Sequence, residues 1–210
     1  MKNILLLLAI SFTLSCKDSP KVEQEVIDNS ESTSLKSGLD DLNTKKNDSL
    51  FLERGKMYAQ STQKVLGKNL MFSLQNSGAV GAVEFCNEKA YPLLDSMAVV
   101  HNAKIRRVSD KPRNPNNKAS NKELNYIEFF KSKIKNNESY EPVLTNEDGN
   151  RNFYLPIITN TMCLNCHGIP GTSIDPKVTL LLNDKYPYDQ ATGYKENEVR
   201  GIWSISFKDD

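Results

Sequence analysis

Tyr140-Glu141-Pro142-Val143-Leu144-Thr145-Asn146-Glu147-Asp148-Gly149-Asn150-Arg151-Asn152-Phe153-Tyr154-Leu155-Pro156-Ile157-Ile158 is the stretch that decides the fold. Two runs, Tyr140–Thr145 and Asn152–Ile158, carry strand-forming side chains and flank Asp148-Gly149, a pair that accepts the positive φ angles of a tight hairpin turn. Antiparallel pairing is therefore expected here. Val199 to Phe207 reads as the last strand, with Ile202, Ser204 and Ser206 alternating against Trp203, Ile205 and Phe207. Ala103 to Val108 is a further candidate strand, followed by a Pro/Asn-rich loop over Ser109 to Ala119.

The segments before this sheet are helical in pattern. Leu50, Met57-Tyr58, Val65-Leu66, Leu70-Met71 and Leu74 recur near helical spacing, and Asn76-Ser77-Gly78 stops the run. A second helix runs from about Ala79 to Tyr91 with Val83, Cys86 and Ala90 on one stripe. Tyr91-Pro92 restarts the chain towards Val100. Ser120-Asn121-Lys122-Glu123 has capping-box spacing and opens a helix to about Lys135. Asp175-Pro176 opens a short one through Leu182. Helices first and antiparallel strands later make the fold α+β.

Just past the hairpin, in a segment read as loop, stands Cys163-Leu164-Asn165-Cys166-His167. Two thiols and an imidazole at this spacing suit covalent attachment of one c-type haem. Each thiol adds to a vinyl group, and the next side chain, His167, faces the iron as proximal ligand. A disulfide between Cys163 and Cys166 would close too small a loop to stabilise much. A thioredoxin-like pair usually opens a helix, whereas Gly168-Ile169-Pro170-Gly171 breaks one at once. A zinc site would need a second ligand pair, and only Cys86 and His101 remain beyond the N-terminal region.

The first residues fit that chemistry, because c-type haem is assembled outside the bacterial cytoplasmic membrane. Lys2 and the apolar run Ile4–Leu14 form a signal-peptide core, too short for a spanning helix of ~20 residues. Ser15-Cys16 resembles a lipoprotein cleavage site, with residues 1–15 as signal peptide and Cys16 lipidated; an ordinary secretory signal with a chance cysteine is the alternative. Residues 16–48 read as the lipidated cysteine and a flexible polar tether with a span of roughly 30 Å. Residues 49–210 form the folded domain, large enough for one core. Removing residues 1–15 takes only Lys2 and leaves 26 basic against 26 acidic side chains. That balance argues against nucleic acid as a partner and against electrostatic binding to anionic lipid, so membrane attachment is expected through the acyl chains. The expected location is the bacterial cell envelope, facing the periplasm or the cell surface.

A haem iron has a second axial position. Cys86, His101, Met57, Met71, Met97 and Met162 are the candidates. Cys86 lies on an inward helical stripe near Gly81 and Ala82, which would let a flat ring approach; a buried core cysteine is the bland reading. His101, beside Asn102 in a polar turn, reads as solvated.

The chain also resembles the single-haem c-type family with a PAS-like fold and haem-sensor members. The likeness rests on Gly81-Ala82-Val83-Glu84-Phe85-Cys86, Arg107-Val108-Ser109-Asp110-Lys111-Pro112-Arg113-Asn114-Pro115-Asn116-Asn117, Tyr154-Leu155-Pro156-Ile157 before the CxxCH, Tyr186-Pro187-Tyr188-Asp189-Gln190-Ala191-Thr192-Gly193-Tyr194 after it, and Arg200-Gly201. The resemblance implies a PAS-like antiparallel sheet flanked by helices, preceded by N-terminal helices. It also implies one c-type haem whose iron carries Cys86 and His167. Family members occur fused to sensor kinases or free-standing, and with no kinase here the output is expected from a signalling or redox partner.

Such a site points to a redox or gas (NO/CO) sensor rather than an enzyme, since two side chains would fill both axial positions. The alternatives are a tethered periplasmic electron-transfer cytochrome and a haem peroxidase. For the last, Arg106, Arg107 and Arg113 would act on a distal face; the structural reading pairs them with haem propionates or acidic side chains.

Overall fold

The computed structural model describes residues 29–208, Asp148 excepted, with side chains from Asp41 onward. The signal peptide and Cys16 lie outside the described residues. The described residues from Leu42 onward form one compact unit; residues 29–41 belong to a separate unit and are helical.

The first element, α1, spans Asn29–Glu88 and is interrupted at Gly78, whose φ of 62° and ψ of −165° are not helical. Asn76-Ser77-Gly78 thus ends one helix as expected, and the next starts without a connecting loop. α2 (Ala90–Val100) follows Lys89, and β1 is Ala103–Val108. α3 (Asn121–Lys135) starts on a complete capping box: the Ser120 hydroxyl accepts from the Glu123 amide and the Glu123 carboxylate from the Ser120 amide. The hairpin is β2 (Val143–Glu147) and β3 (Asn150–Ile158), with Gly149 in the turn at φ 77°. α4 (Leu164–His167), α5 (Pro176–Lys185) and β4 (Val199–Phe207) complete the chain.

The four strands form an antiparallel sheet in the order β1-β4-β3-β2, so the first strand lies beside the last. Ala103, Ile105, Phe153, Trp203, Ile205 and Phe207 project from one face and pack against Tyr58, Ala59 and Leu66 of α1 and Leu94 of α2. Val108, Tyr154 and Ile202 project from the other, against Ile127 and Phe130 of α3. Both faces are thereby removed from water, which gives the expected α+β sheet flanked by helices. Gly55 lets α1 lie close against the sheet: a Cβ there would sit 2.3 Å from the buried Phe153 ring.

Three expectations need correction. Residues 29–48 are helical, not a flexible tether, and Leu42 already belongs to the compact unit. Once packing has nucleated a helix, adding polar turns to its end requires little burial, and Asp48 is further held to Arg151 at 2.6 Å. The first hairpin strand begins at Val143, not Tyr140: Pro142 has no amide to donate, and Tyr140 packs edge-on against Phe130 instead. The cysteine motif is not a loop but two short helical turns, a 3-10 turn over Thr161–Cys163 and then α4. Among the described residues, no helix is long and apolar enough to cross a membrane.

Candidate functional site

Where β3 ends, Thr159 ties the chain to the approach to β4. Its hydroxyl donates to the Lys195 carbonyl at 2.5 Å and accepts from the Glu198 amide at 3.0 Å. Asn160 then caps the first turn, its side chain accepting from the Cys163 amide at 3.2 Å. One turn later come Cys166 and His167, and Gly168 closes α4 by bonding the Leu164 carbonyl at 3.0 Å. Cys163 and Cys166 are free thiols.

Segment 186–194 lies along this turn as a strap. The Tyr194 amide donates to His167 O at 3.0 Å, and the Gly193 amide to Gly168 O at 2.8 Å. His167 Nδ1 lies 2.7 Å from Ala191 O. A carbonyl only accepts, so Nδ1 carries the proton and Nε2 keeps its lone pair. The Arg200 Nε, 3.3 Å from the same Nδ1, therefore has no acceptor there. Burial and the Arg200 and Arg113 guanidiniums hold the His167 pKa well below the ordinary value, so the imidazole is neutral.

Arg113 fastens the parts together. Its Nε donates to Asp189 at 2.9 Å and a terminal nitrogen to Cys166 O at 2.5 Å. Asp189 in turn accepts from the Ala191 amide at 2.7 Å, fixing the carbonyl that faces His167. From β4, Arg200 donates to Ser109 Oγ at 2.8 Å and Lys111 O at 3.1 Å. Gly201, next in the chain, has no room for a side chain: a Cβ would lie 2.3 Å from Val108 O.

Cys86 comes from the last turn of α1. Val83, one turn earlier, shares an apolar cluster with Ile174, Val178 and Leu182, against which Cys166 packs. Burial raises the Cys86 pKa, opposed by Arg107 and Arg113. Burial likewise pushes the Cys166 thiol to about 11, with Cys86 near enough to add to the rise. Cys86, Cys166, His167 and the guanidiniums of Arg107, Arg113 and Arg200 thus occupy one half-buried site at the end of the sheet.

A family model described as Tll0287-like (Tll0287) matches residues 22–208. The chain belongs to the Tll0287-like family. Among solved structures, the crystal structure of the cyanobacterial heme-protein Tll0287 is similar, at 21% identity over 57% of this chain and 71% of that one, with a TM-score of 0.46. No functionally curated protein matches.

Within this Tll0287-like chain the sequence-predicted residues sort cleanly. Cys163, Cys166 and His167 share two consecutive turns, and Cys86 lies near Cys166. His101 does not join them. Its Nε2 lies 2.7 Å from Ser61 Oγ and its ring stacks on Tyr58 at 4.2 Å, so it is a packing residue rather than a solvated one. Met57 and Met71 are exposed on α1. Gly81 does not open a space for a ring, because Ser77 fills it: a Cβ on Gly81 would lie 2.2 Å from that of Ser77. Arg106 turns to α3 and bonds Glu123 at 3.2 Å. Among the described residues, no group of three or more His, Cys, Asp or Glu side chains is arranged to hold a metal ion. What spacing could not reveal is the pair of groups that orient the motif, Asp189 and the Ala191 carbonyl. They lie 22 and 24 residues beyond His167, and the strap's backbone path brings them in, while β4 brings Arg200 alongside.

Proposed function

We propose that this protein is an exported, lipid-anchored c-type haem protein that serves as a redox or gas (NO/CO) sensor. One haem would be joined through Cys163 and Cys166, with His167 and Cys86 as axial ligands. Cys16 would carry the lipid and hold the protein at the bacterial envelope, facing the periplasm or cell surface. The observation that carries the reading is His167, neutral, with Nδ1 engaged by Ala191 O and Nε2 free, four residues from the first of two free thiols. An imidazole oriented through its second nitrogen is the arrangement a metal-ligating histidine needs.

The other groups fit a porphyrin as well. The Arg107 Nε is buried with no hydrogen-bond partner among the described residues. Burial raises the Cys86 pKa, and Arg107 and Arg113 lie near enough to oppose that rise. A bound haem supplies a redox-active iron whose potential follows its axial ligands. A thiolate donor lowers that potential. With Cys86 and His167 in both axial positions, substrate has no open coordination site, so the reading is not an enzyme. Release of Cys86 would free the end of α1 and pass the signal to a partner protein.

The test has two parts. Denaturing mass spectrometry of the protein, made in a host that matures c-type cytochromes, should show one added porphyrin, lost in Cys163→Ser/Cys166→Ser. Low-temperature electron paramagnetic resonance of the ferric protein should change in Cys86→Ala. A wild-type mass without porphyrin ends the proposal. A ferrous protein that retains both ligands and ignores both gases ends the sensor part and leaves an electron carrier.

A further inference from the structure

Segment 106–113 holds three arginines, and the structure gives a carboxylate to only two. Arg106 has Glu123 and Arg113 has Asp189. Arg107 has neither. It lies on the sheet face shared by Ala103 and Ile105, opposite Trp203, and so points towards the end of α1 that carries Cys86. Its Nε is shut off from water and unpaired. The ionisable groups acting on it are Cys86, Tyr91 and Tyr186, none of them a carboxylate. Both tyrosines are pushed up by burial, so they stay uncharged at neutral pH.

A guanidinium whose Nε is out of water and unbonded, with no carboxylate beside it, is a costly arrangement that an incoming anion would relieve. Arg200, also buried, is better provided for. It donates to Ser109 Oγ and Lys111 O, and its guanidinium lies over the Tyr194 ring, 5.4 Å from the centroid. We propose that Arg107 is an anion subsite, the counter-ion for a propionate carboxylate of the bound porphyrin. The planar fork of donors suits a carboxylate better than any neutral group in the site. This inference rests on the haem reading and adds to it the residue that receives the porphyrin edge.

The experiment uses holoprotein carrying haem labelled with carbon-13 at the propionate carboxyl carbons. Redox-difference infrared spectra then separate porphyrin carboxylates from Asp and Glu. The labelled bands should shift in Arg107→Met and return towards the wild-type position in Arg107→Lys. The same bands should stay put in Arg106→Met, whose side chain faces α3. The midpoint potential should fall in Arg107→Met, because loss of a nearby cation favours the ferric state, and recover in Arg107→Lys. If Arg107→Met yields no loaded protein, Arg107→Gln takes its place. Labelled bands that do not respond to either variant overturn the proposal. So does a potential shift without a band shift, since the anion would then be Cys86. A wild-type protein without porphyrin would instead remove the haem reading itself, and the mass measurement tells the two failures apart.

Discussion

Replacing Arg113 by Met tests whether the site is held together by one buried ion pair. The Arg113 side chain is 12% exposed and that of Asp189 7%, with Nε and Oδ2 2.9 Å apart. Removing the guanidinium strands a buried carboxylate and takes a donor from Cys166 O and Ala191 O. Breaking a buried pair by deleting one partner costs about 3–5 kcal/mol. In a domain of this size that corresponds to a fall of roughly 6–20 °C in Tm. Urea unfolding of wild type, Arg113→Met, Asp189→Asn and the double variant, followed by far-UV circular dichroism, gives the coupling directly. The double variant should lose less than the two single losses added together, by about 0.5–3 kcal/mol. A loss below about 1 kcal/mol for Arg113→Met, the range of a surface pair, would refute the argument. Asp189 would then be a solvated carboxylate and the strap would be held by its backbone bonds alone.

Two glycines of α1 should respond to alanine with opposite sign. Gly55→Ala drives a Cβ into the fully buried Phe153 ring and should destabilise by about 1–3 kcal/mol; Gly67→Ala meets nothing within 4 Å and should stabilise by up to about 1 kcal/mol, both read by urea midpoints. Ser120→Ala removes the cap of α3 and should cost about 1 kcal/mol in the same assay; no loss would mean that the Glu123 carboxylate alone sets that helix start. His101 is held below its ordinary pKa of 6.5 by burial, so it is neutral when folded. Its contribution to stability is present above pH 6.5 and is lost as pH falls from there through the lowered folded value. Urea midpoints between pH 7.5 and 5 should therefore decline less steeply in His101→Gln than in wild type, and parallel curves would count against the argument.

Most of the fold was legible because its signals are local. Asp148-Gly149, Ser120 with Glu123, Asp175-Pro176 and the alternation of residues 202–207 each depend on neighbours within a few positions, and the Gly149 turn, the capping box, the Asp175 cap and β4 appear where expected. The extent of α1 was not, since residues 29–48 lack the apolar pattern that marks a helix, and the polar turns continue one nucleated further along. At the site, the two thiols and His167 could be read from spacing, as covalent attachment requires them to be adjacent. The sorting of three neighbouring arginines could not. Arg106 and Arg107 alternate across a strand, which sends one to Glu123 and the other to the opposite face, while Arg113 depends on a carboxylate 76 residues away. His101 was misread because a polar sequence around it says nothing of the Tyr58 ring and Ser61 hydroxyl that α1 brings.

The interruption at Gly78 bears on how Cys86 could move. Before it, Tyr58, Ala59 and Leu66 of α1 are locked into the main core beneath the sheet. After it, Ala79 and Val83 lean on a separate, smaller cluster with Ile174, Val178 and Leu182. Moving the turn that carries Cys86 would sacrifice contacts of the smaller cluster while Leu66 and Ala90 hold the chain to the main core on either side, so its opening free energy should lie below that of global unfolding. A helix continuous through position 78 would share the load along its length and lose this independence. Hydrogen exchange of the protein with and without Cys86→Ala separates the cases: residues 79–88 should exchange faster in the variant, while residues 51–70 keep wild-type protection. Equal acceleration across residues 51–88 would show that α1 responds as one rod, and a Cys86-based switch would have no hinge to work on.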